Sequence, residues 1–388
     1  MFIDVQSVNR DHVAMTAQIY LDHLASTPLA PSVLAAMLPW LDPAAAGNPH
    51  AATHRAGWRA AEAVEQARGQ VGALIGARPG EIVFTSGATE ANNLALLGAV
   101  PEGWPVAASA IEHASITACL PVLAARGHPI HVLPVDDIGR LDLVALEAVL
   151  LRGPAFVSMM SANNEIGTIQ PLAEIGALCR RRGAILHSDA VQSPTTTTLG
   201  IDLLSLSAHK LYGPMGIGAL FVRDGLALRP LLQGGGQQEG RRPGTVPVAL
   251  AIGFGAACAL VAERRDADAL RIAGLRERLW AGLAAALPGI RRNSPAENCL
   301  PGCLNIAIPG IDAADLLLGL PDLAVATGSA CASGSGLPSA VLTAIGLSPE
   351  LAHASLRFGL GRGTTEAEID RAAALLADAV RESNPTPG

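Results

Sequence analysis

Two charged residues close apolar runs in this chain of 388 residues. Asp189 ends Ala184-Ile-Leu-His-Ser-Asp189, and Lys210 ends Leu203-Leu-Ser-Leu-Ser-Ala-His-Lys210, twenty-one positions later. Runs of this kind read as buried strands, where desolvation penalises a charge left at the end. A lysine kept there is a candidate for a depressed pKa and for Schiff-base chemistry with a carbonyl. An aspartate one strand away could hold the protonated ring nitrogen of a pyridoxal cofactor. The same lysine completes Ser207-x-x-Lys210, the S-x-x-K pattern of penicillin-binding enzymes. That rival also needs S-D-N and K-T-G, but Ser188-Asp189 is followed by Ala190 and K-T-G does not occur. The plain alternative is a surface lysine snorkelling past a strand end.

Other segments carry matching chemistry. Thr85-Ser-Gly-Ala-Thr-Glu90 falls where a strand meets a helix. Its small residues leave backbone N–H groups for an anion at the helix start, a phosphate cradle made with Ala88 and Thr89. An ordinary turn with a threonine cap explains the motif equally well on its own. G-x-G-x-x-G and G-x4-G-K-[ST] are both missing, which removes support for dinucleotide and P-loop sites. Glu112-His113 follows a strand, and an imidazole there could stack on a planar cofactor and handle protons. Asn163-Asn164-Glu165-Ile-Gly167 is a polar turn whose amides suit a phenolic oxygen or a substrate. Cys331 lies among small residues in Gly328-Ser-Ala-Cys-Ala-Ser-Gly-Ser-Gly336. His50 and His54 stand four apart but lack a third ligand, and Cys299 and Cys303 lack a second pair, so no metal site is expected.

The elements that must position these residues alternate. Strands are predicted at 82–85, 106–109, 130–133, 156–161, 184–188, 203–207 and 219–222, with amphipathic segments such as Pro171–Arg182 between several of them. That rhythm predicts an α/β domain with a mostly parallel, covered sheet. Val246–Ala262 reads as a buried helix. Beyond about Asp266 the character changes to a smaller α+β domain: a charged helix at 267–287, strands at 304–308, 323–326 and 355–358, and a last helix from Thr365 with a capping box to Glu368. Half the residues are hydrophobic and 16% are charged, which excludes a disordered or fibrous chain. A net charge of −7 without a Lys/Arg block excludes tracking of a nucleic-acid backbone. Met1–Thr16 lacks an apolar h-region, no stretch reads as a membrane span, and six cysteines are scattered through the chain. A cytoplasmic protein with free thiols is expected.

Taken together and in order, these motifs resemble the cysteine desulfurases of the NifS/IscS type, class V aminotransferases of pyridoxal-phosphate fold type I. The resemblance runs from Tyr20-Leu-Asp-His-Leu-Ala-Ser-Thr-Pro28 through Gly47-Asn-Pro, Gly234-Gly-Gly and Arg242-Pro-Gly-Thr245 to Arg357-Phe-Gly-Leu-Gly-Arg-Gly-Thr-Thr-Glu-Ala-Glu-Ile-Asp370. It implies a large cofactor domain (30–266) with a mostly parallel seven-stranded sheet, and a smaller α+β domain (1–29 and 267–388) carrying the catalytic cysteine loop.

It also implies roles. Lys210 would bind pyridoxal 5'-phosphate covalently and shuttle the substrate α-proton. Asp189 would pair with the ring nitrogen, Gln192 and Asn164 would contact the ring hydroxyl, and His113 would stack on the ring. Ala88, Thr89, Ser207 and His209 would hold the phosphate, and Thr245 would reach the phosphate of a neighbouring subunit in a homodimer. Arg357 would bind the substrate carboxylate, with Asn164 beside it. Cys331 would take sulfur from L-cysteine as a persulfide, leaving L-alanine, for a sulfur-acceptor protein such as an iron–sulfur scaffold or a tRNA-thiolation partner. A selenocysteine lyase, another class V aminotransferase, or a catalytically silent regulatory paralogue are the rival readings. His23 and Met215 depart from the family pattern.

Overall fold

Val106–Ser109, Phe156–Met160, Ile185–Asp189 and Leu203–Ser207 are buried at every position except Ile185, as parallel strands covered on both faces must be. The computed structural model, which describes residues 18–194, 196–327 and 337–383, assembles them into a seven-stranded sheet. Its spatial order is Ile82–Thr85, Gly218–Val222, Leu203–Ser207, Ile185–Asp189, Phe156–Met160, Val106–Ser109, Ile130–Leu133. Gly218–Val222 alone runs against its neighbours. The expected mostly parallel sheet is therefore present. Alternation along one strand shows how it is covered: Ile82 and Phe84 pack on one side with Val64, Val71 and Phe254. Val83 packs on the other with Leu94, Leu96 and Ile116.

Two expectations need correction. The segments read as separate helices, before and after Asp266, form one helix, Val248–Ala286, of 39 residues. Its first part buries Phe254, Ala257 and Cys258, and its second buries Ile272, Leu275, Leu279 and Leu283. The charged stretch between, Glu263-Arg-Arg-Asp-Ala-Asp268, has no glycine or proline to stop a helix. Polarity changes there because the packing partner changes, while the backbone continues. The strand read at 323–326 is two: Leu323–Ala324 pairs with Ile19–Tyr20, and Ala326–Thr327 pairs with Ser355–Gly359.

Ser355–Gly359 lies inside a second sheet, between Ala326–Thr327 and Cys303–Ala307, with Arg291–Arg292 at its edge. Its hydrophobic cluster joins Ile19 and Leu21 to Leu279, Leu283, Phe358 and Leu376. The last helix, Glu366–Ser383, has the expected capping box: Thr365 N–H donates to Glu368 Oε2 at 2.8 Å, and Glu368 N–H to Thr365 Oγ1 at 3.3 Å. Ile369, Ala373, Leu376 and Val380 are buried on it.

Gly176, inside the helix Leu172–Arg181, lets that helix close on the turn after Ile185–Asp189. An added Cβ would sit 1.8 Å from the Leu199 carbonyl oxygen. Gly176→Ala is expected to cost roughly 3 kcal/mol through forced displacement of the backbone. Denaturant unfolding checks this: the midpoint should fall with the slope unchanged, and an unmoved midpoint would contradict the contact.

Candidate active site

A cavity of about 600 Å³ opens beside the carboxyl ends of the central strands, the usual ligand position in such sheets. Ala88, Thr89, His113, Asn164, Asp189, Gln192, Ser207, His209, Lys210 and Arg357 all line it. The fold thus brings ten of the expected site residues to one place. Thr245 is exposed and is not among the lining residues. Cys331 lies outside the described residues.

Lys210 ends a single helical turn, Ala208–Lys210, directly after the strand Leu203–Ser207. Its Nζ donates to the carbonyls of Leu24 at 2.5 Å and Ala25 at 2.8 Å. Thr27 pins the turn: its Oγ1 donates to the His209 carbonyl at 2.8 Å and accepts from the Tyr212 N–H at 2.7 Å. Tyr212 takes a left-handed φ of 63°, a costly state for a bulky residue that its surroundings must impose. The Arg362 guanidinium lies 4.3 Å over its ring, and the Arg362 N–H donates to its hydroxyl at 2.7 Å. Contacts from several directions therefore fix where Lys210 begins.

Asp189 is 7% exposed, at the end of its strand. Its Oδ2 accepts from Asn92 Nδ2 at 2.7 Å and its Oδ1 from the Val191 N–H at 3.1 Å. Two donors keep this buried carboxylate oriented. His113 caps the short helix Ala114–Thr117, its Nδ1 accepting from the Ser115 N–H at 3.1 Å. Burial lowers the His113 pKa, Asp189 opposes that shift, and Lys210 adds to it. Beside it, Glu112 accepts from Ser109 Oγ at 2.7 Å and the Met160 N–H at 2.9 Å. Burial raises Glu112 to about 8, so it is an uncharged acid at neutral pH.

At the other end, the helix Ala88–Ala99 begins after Gly87 without a side-chain cap, leaving its first amides for an anion. Glu90 shapes this end, accepting from the Ser86 N–H at 2.6 Å and from Arg242 at 2.7 and 3.2 Å. Gly218 lies close beneath: a Cβ there would meet the Gly87 carbonyl carbon at 2.7 Å. His209 is lowered to about 4 by burial and by Lys210, so it is neutral at physiological pH and acts as a hydrogen-bonding group.

Arg357 reaches the cavity from the second sheet and is 2% exposed. Its guanidinium donates to Asp22 Oδ1 at 2.7 Å and the Asn164 carbonyl at 3.2 Å. Further N–H groups of this planar fork remain for a carboxylate. The neighbouring asparagines divide their work. Asn163 Oδ1 accepts from the N–H groups of Glu165 and Ile166, forming the turn, while Asn164 lines the cavity. Gln192 Nε2 donates to the Leu24 carbonyl at 3.0 Å. His23 is buried with Nδ1 unpartnered, and burial lowers it to about 4. His54 has a structural role, its Nδ1 accepting from the Gly57 N–H at 3.1 Å to cap the helix Arg55–Ile75.

The sequence reading passed over Asn92, Ser115, Glu90, Arg242 and Asp22 as functional residues. Asn92 left one signal: it is a fully buried polar residue in a helix that otherwise buries Ala91, Leu94, Ala95 and Leu96. A buried asparagine must be hydrogen-bonded to something specific.

This donor set fits pyridoxal phosphate. An uncapped helix start suits the phosphate, a buried charged carboxylate suits a protonated ring nitrogen, and an amine and an imidazole line the same cavity. Among the described residues no cluster of His, Cys, Asp and Glu could hold a metal ion, and no helix is long and apolar enough to cross a membrane.

Comparison with known proteins agrees. Residues 19–372 match the aminotransferase class-V family. A cysteine desulfurase from Mus musculus is 44% identical over 374 residues, which span 94% of this chain and 81% of the relative. The cysteine desulfurase IscS of Anaeromyxobacter dehalogenans is 42% identical, over 95% of this chain and 94% of that one. The solved structure of a NifS-like protein superposes with a TM-score of 0.86 at 31% identity, covering 94% of this chain and all of the other. This chain belongs to the class-V aminotransferase family, among the cysteine desulfurases of the NifS/IscS type.

Proposed function

We propose that this protein is a pyridoxal-phosphate-dependent cysteine desulfurase that converts L-cysteine to L-alanine and leaves the sulfur on Cys331. The observation that carries the reading is the meeting of Lys210, Asp189, Arg357 and the uncapped start of the helix Ala88–Ala99 on one cavity. When bound, pyridoxal phosphate supplies an electron sink for charge developing at the substrate Cα. Ala88, Thr89, Ser207 and His209 hold its phosphate, Asp189 its ring nitrogen, Gln192 and Asn164 its ring hydroxyl, and His113 its face. Arg357 binds the substrate carboxylate, already oriented by Asp22. Lys210 carries the α-proton.

The Cys331 thiolate attacks the substrate sulfur. A sulfur–sulfur bond forms, the carbon–sulfur bond breaks, and the former β-carbon gains a proton to become the alanine methyl. The persulfide then passes to an acceptor protein, with an iron–sulfur scaffold or a tRNA-thiolation partner as the candidates.

The same reading takes the protein as a cytoplasmic homodimer. Exposure of Thr245 supports a contact with the neighbouring subunit's phosphate, and five unpaired described cysteines suit a reducing compartment. It also takes 30–266 as the cofactor domain and 1–29 with 267–388 as the small domain. Separate hydrophobic clusters support that division.

Purified protein given L-cysteine and a thiol reductant should release alanine and sulfide in equal amounts. Cys331→Ala should slow both on the order of a thousandfold. Undiminished release from that variant would mean the sulfur leaves by another route.

A further inference from the structure

Asp189 and His113 belong to different elements, yet hydrogen bonds join them without a break. Asn92, fully buried in the helix Ala88–Ala99, donates from Nδ2 to Asp189 Oδ2 at 2.7 Å and to Ser115 Oγ at 2.8 Å. Chemistry settles which way this amide points. A carboxylate only accepts, so the NH2 group must face Asp189. Asn92 Oδ1 is then buried without a partner among the described residues, so both of the bonds that this amide makes go to Asp189 and Ser115.

Ser115 Oγ accepts from Asn92, so its own proton is available to His113 Nδ1, 2.8 Å away. The Ser115 backbone N–H also donates to that nitrogen, at 3.1 Å. An amide N–H cannot accept, so Nδ1 must present its lone pair and the ring proton must sit on Nε2.

We propose that Asn92 and Ser115 are positioning residues that lock His113 in its neutral Nε2–H tautomer and tie its ring to the Asp189 carboxylate. His113 lines the cavity with Nδ1 engaged, which leaves Nε2 as the nitrogen that meets a bound molecule. That nitrogen carries a proton and has no lone pair to accept another. His113 therefore stacks and donates a hydrogen bond, and removal of the substrate α-proton falls to Lys210.

The charged surroundings agree. Protonating Nδ1 would set its N–H against the Ser115 N–H, and burial and Lys210 act in the same direction. Asp189 opposes them, while Glu112 is itself raised to about 8 and brings no charge at neutral pH. The tautomer rests on hydrogen-bond geometry alone; its catalytic consequence rests on the desulfurase reading.

Nitrogen-15 NMR of the full chain, labelled in its histidine rings, tests the proposal with and without pyridoxal phosphate. Protonated and unprotonated ring nitrogens resonate far apart, and His113→Gln identifies the signals. The expected result is an Nε2–H ring at neutral pH that titrates below the ordinary 6.5. Ser115→Ala should move that midpoint up by about one unit, the effect of one lost hydrogen bond, and Ser115→Thr should restore it. In the loaded enzyme Ser115→Ala should lower kcat roughly tenfold at unchanged KM.

An Nδ1–H ring in the unaltered protein, or a midpoint that ignores Ser115→Ala, overturns the proposal. If Ser115→Ala does not fold, the tautomer of the unaltered protein decides alone. An Nδ1–H ring with normal cysteine turnover removes the relay and keeps the desulfurase. An Nε2–H ring without turnover does the reverse.

Discussion

Lys210→Ala is expected to abolish turnover of L-cysteine, with a loss of at least about 10⁴-fold in kcat. The amine has two tasks under this account, holding the cofactor covalently and moving the α-proton, and no other described lining residue can take both. Lysine is the one amine-bearing side chain among the lining residues. The neighbours His113 and His209 are both lowered, and His113 presents a protonated Nε2. The fold should survive the change. Lys210 is only partly buried, and the turn that carries it is fixed by Thr27 and Tyr212 rather than by its own side chain. Borohydride treatment separates the outcomes: the unaltered protein should retain the cofactor through denaturation, and the variant should release it. Turnover within tenfold of normal would place the proton chemistry elsewhere.

Asp189→Asn is expected to lower kcat on the order of a thousandfold with a small change in KM. The substitution is nearly isosteric at a residue 7% exposed, so the volume is preserved while the charge and one acceptor oxygen are lost. An asparagine can keep only one of the two donors Asp189 uses now, Asn92 Nδ2 on Oδ2 or the Val191 N–H on Oδ1, because its NH2 group replaces the other oxygen. It cannot keep a ring nitrogen protonated, because a neutral amide gives the pyridinium no stabilising charge. Steady-state kinetics with a thermal-stability control checks this. A loss below tenfold would mean that the carboxylate does not govern the ring.

The central sheet was largely legible in the sequence because its strands are short, apolar and punctuated. The predicted bounds 106–109, 130–133 and 203–207 are those observed. Lys210, Asp189 and the helix start at Ala88 were legible as well, because charged or small residues at the ends of apolar runs carry a local signal.

What could not be read is whatever depends on distant partners. Asn92 meets Ser115 23 positions on and Asp189 97 positions on, and Arg357 meets Asp22 across 335. Spacing holds no trace of such pairs; the fold creates them. The joined helix Val248–Ala286 was missed for a related reason. Its polarity follows two successive packing partners, and a change of partner imitates a boundary.

The central claim is that sulfur from L-cysteine comes to rest on Cys331 through a site built around Lys210. Mass spectrometry of the Cys331 peptide, after the loaded enzyme meets L-cysteine without reductant, tests it directly. The account predicts one added sulfur atom on that peptide, removed by reductant and absent in Lys210→Ala. An unmodified Cys331 peptide in a sample that has made alanine would contradict it.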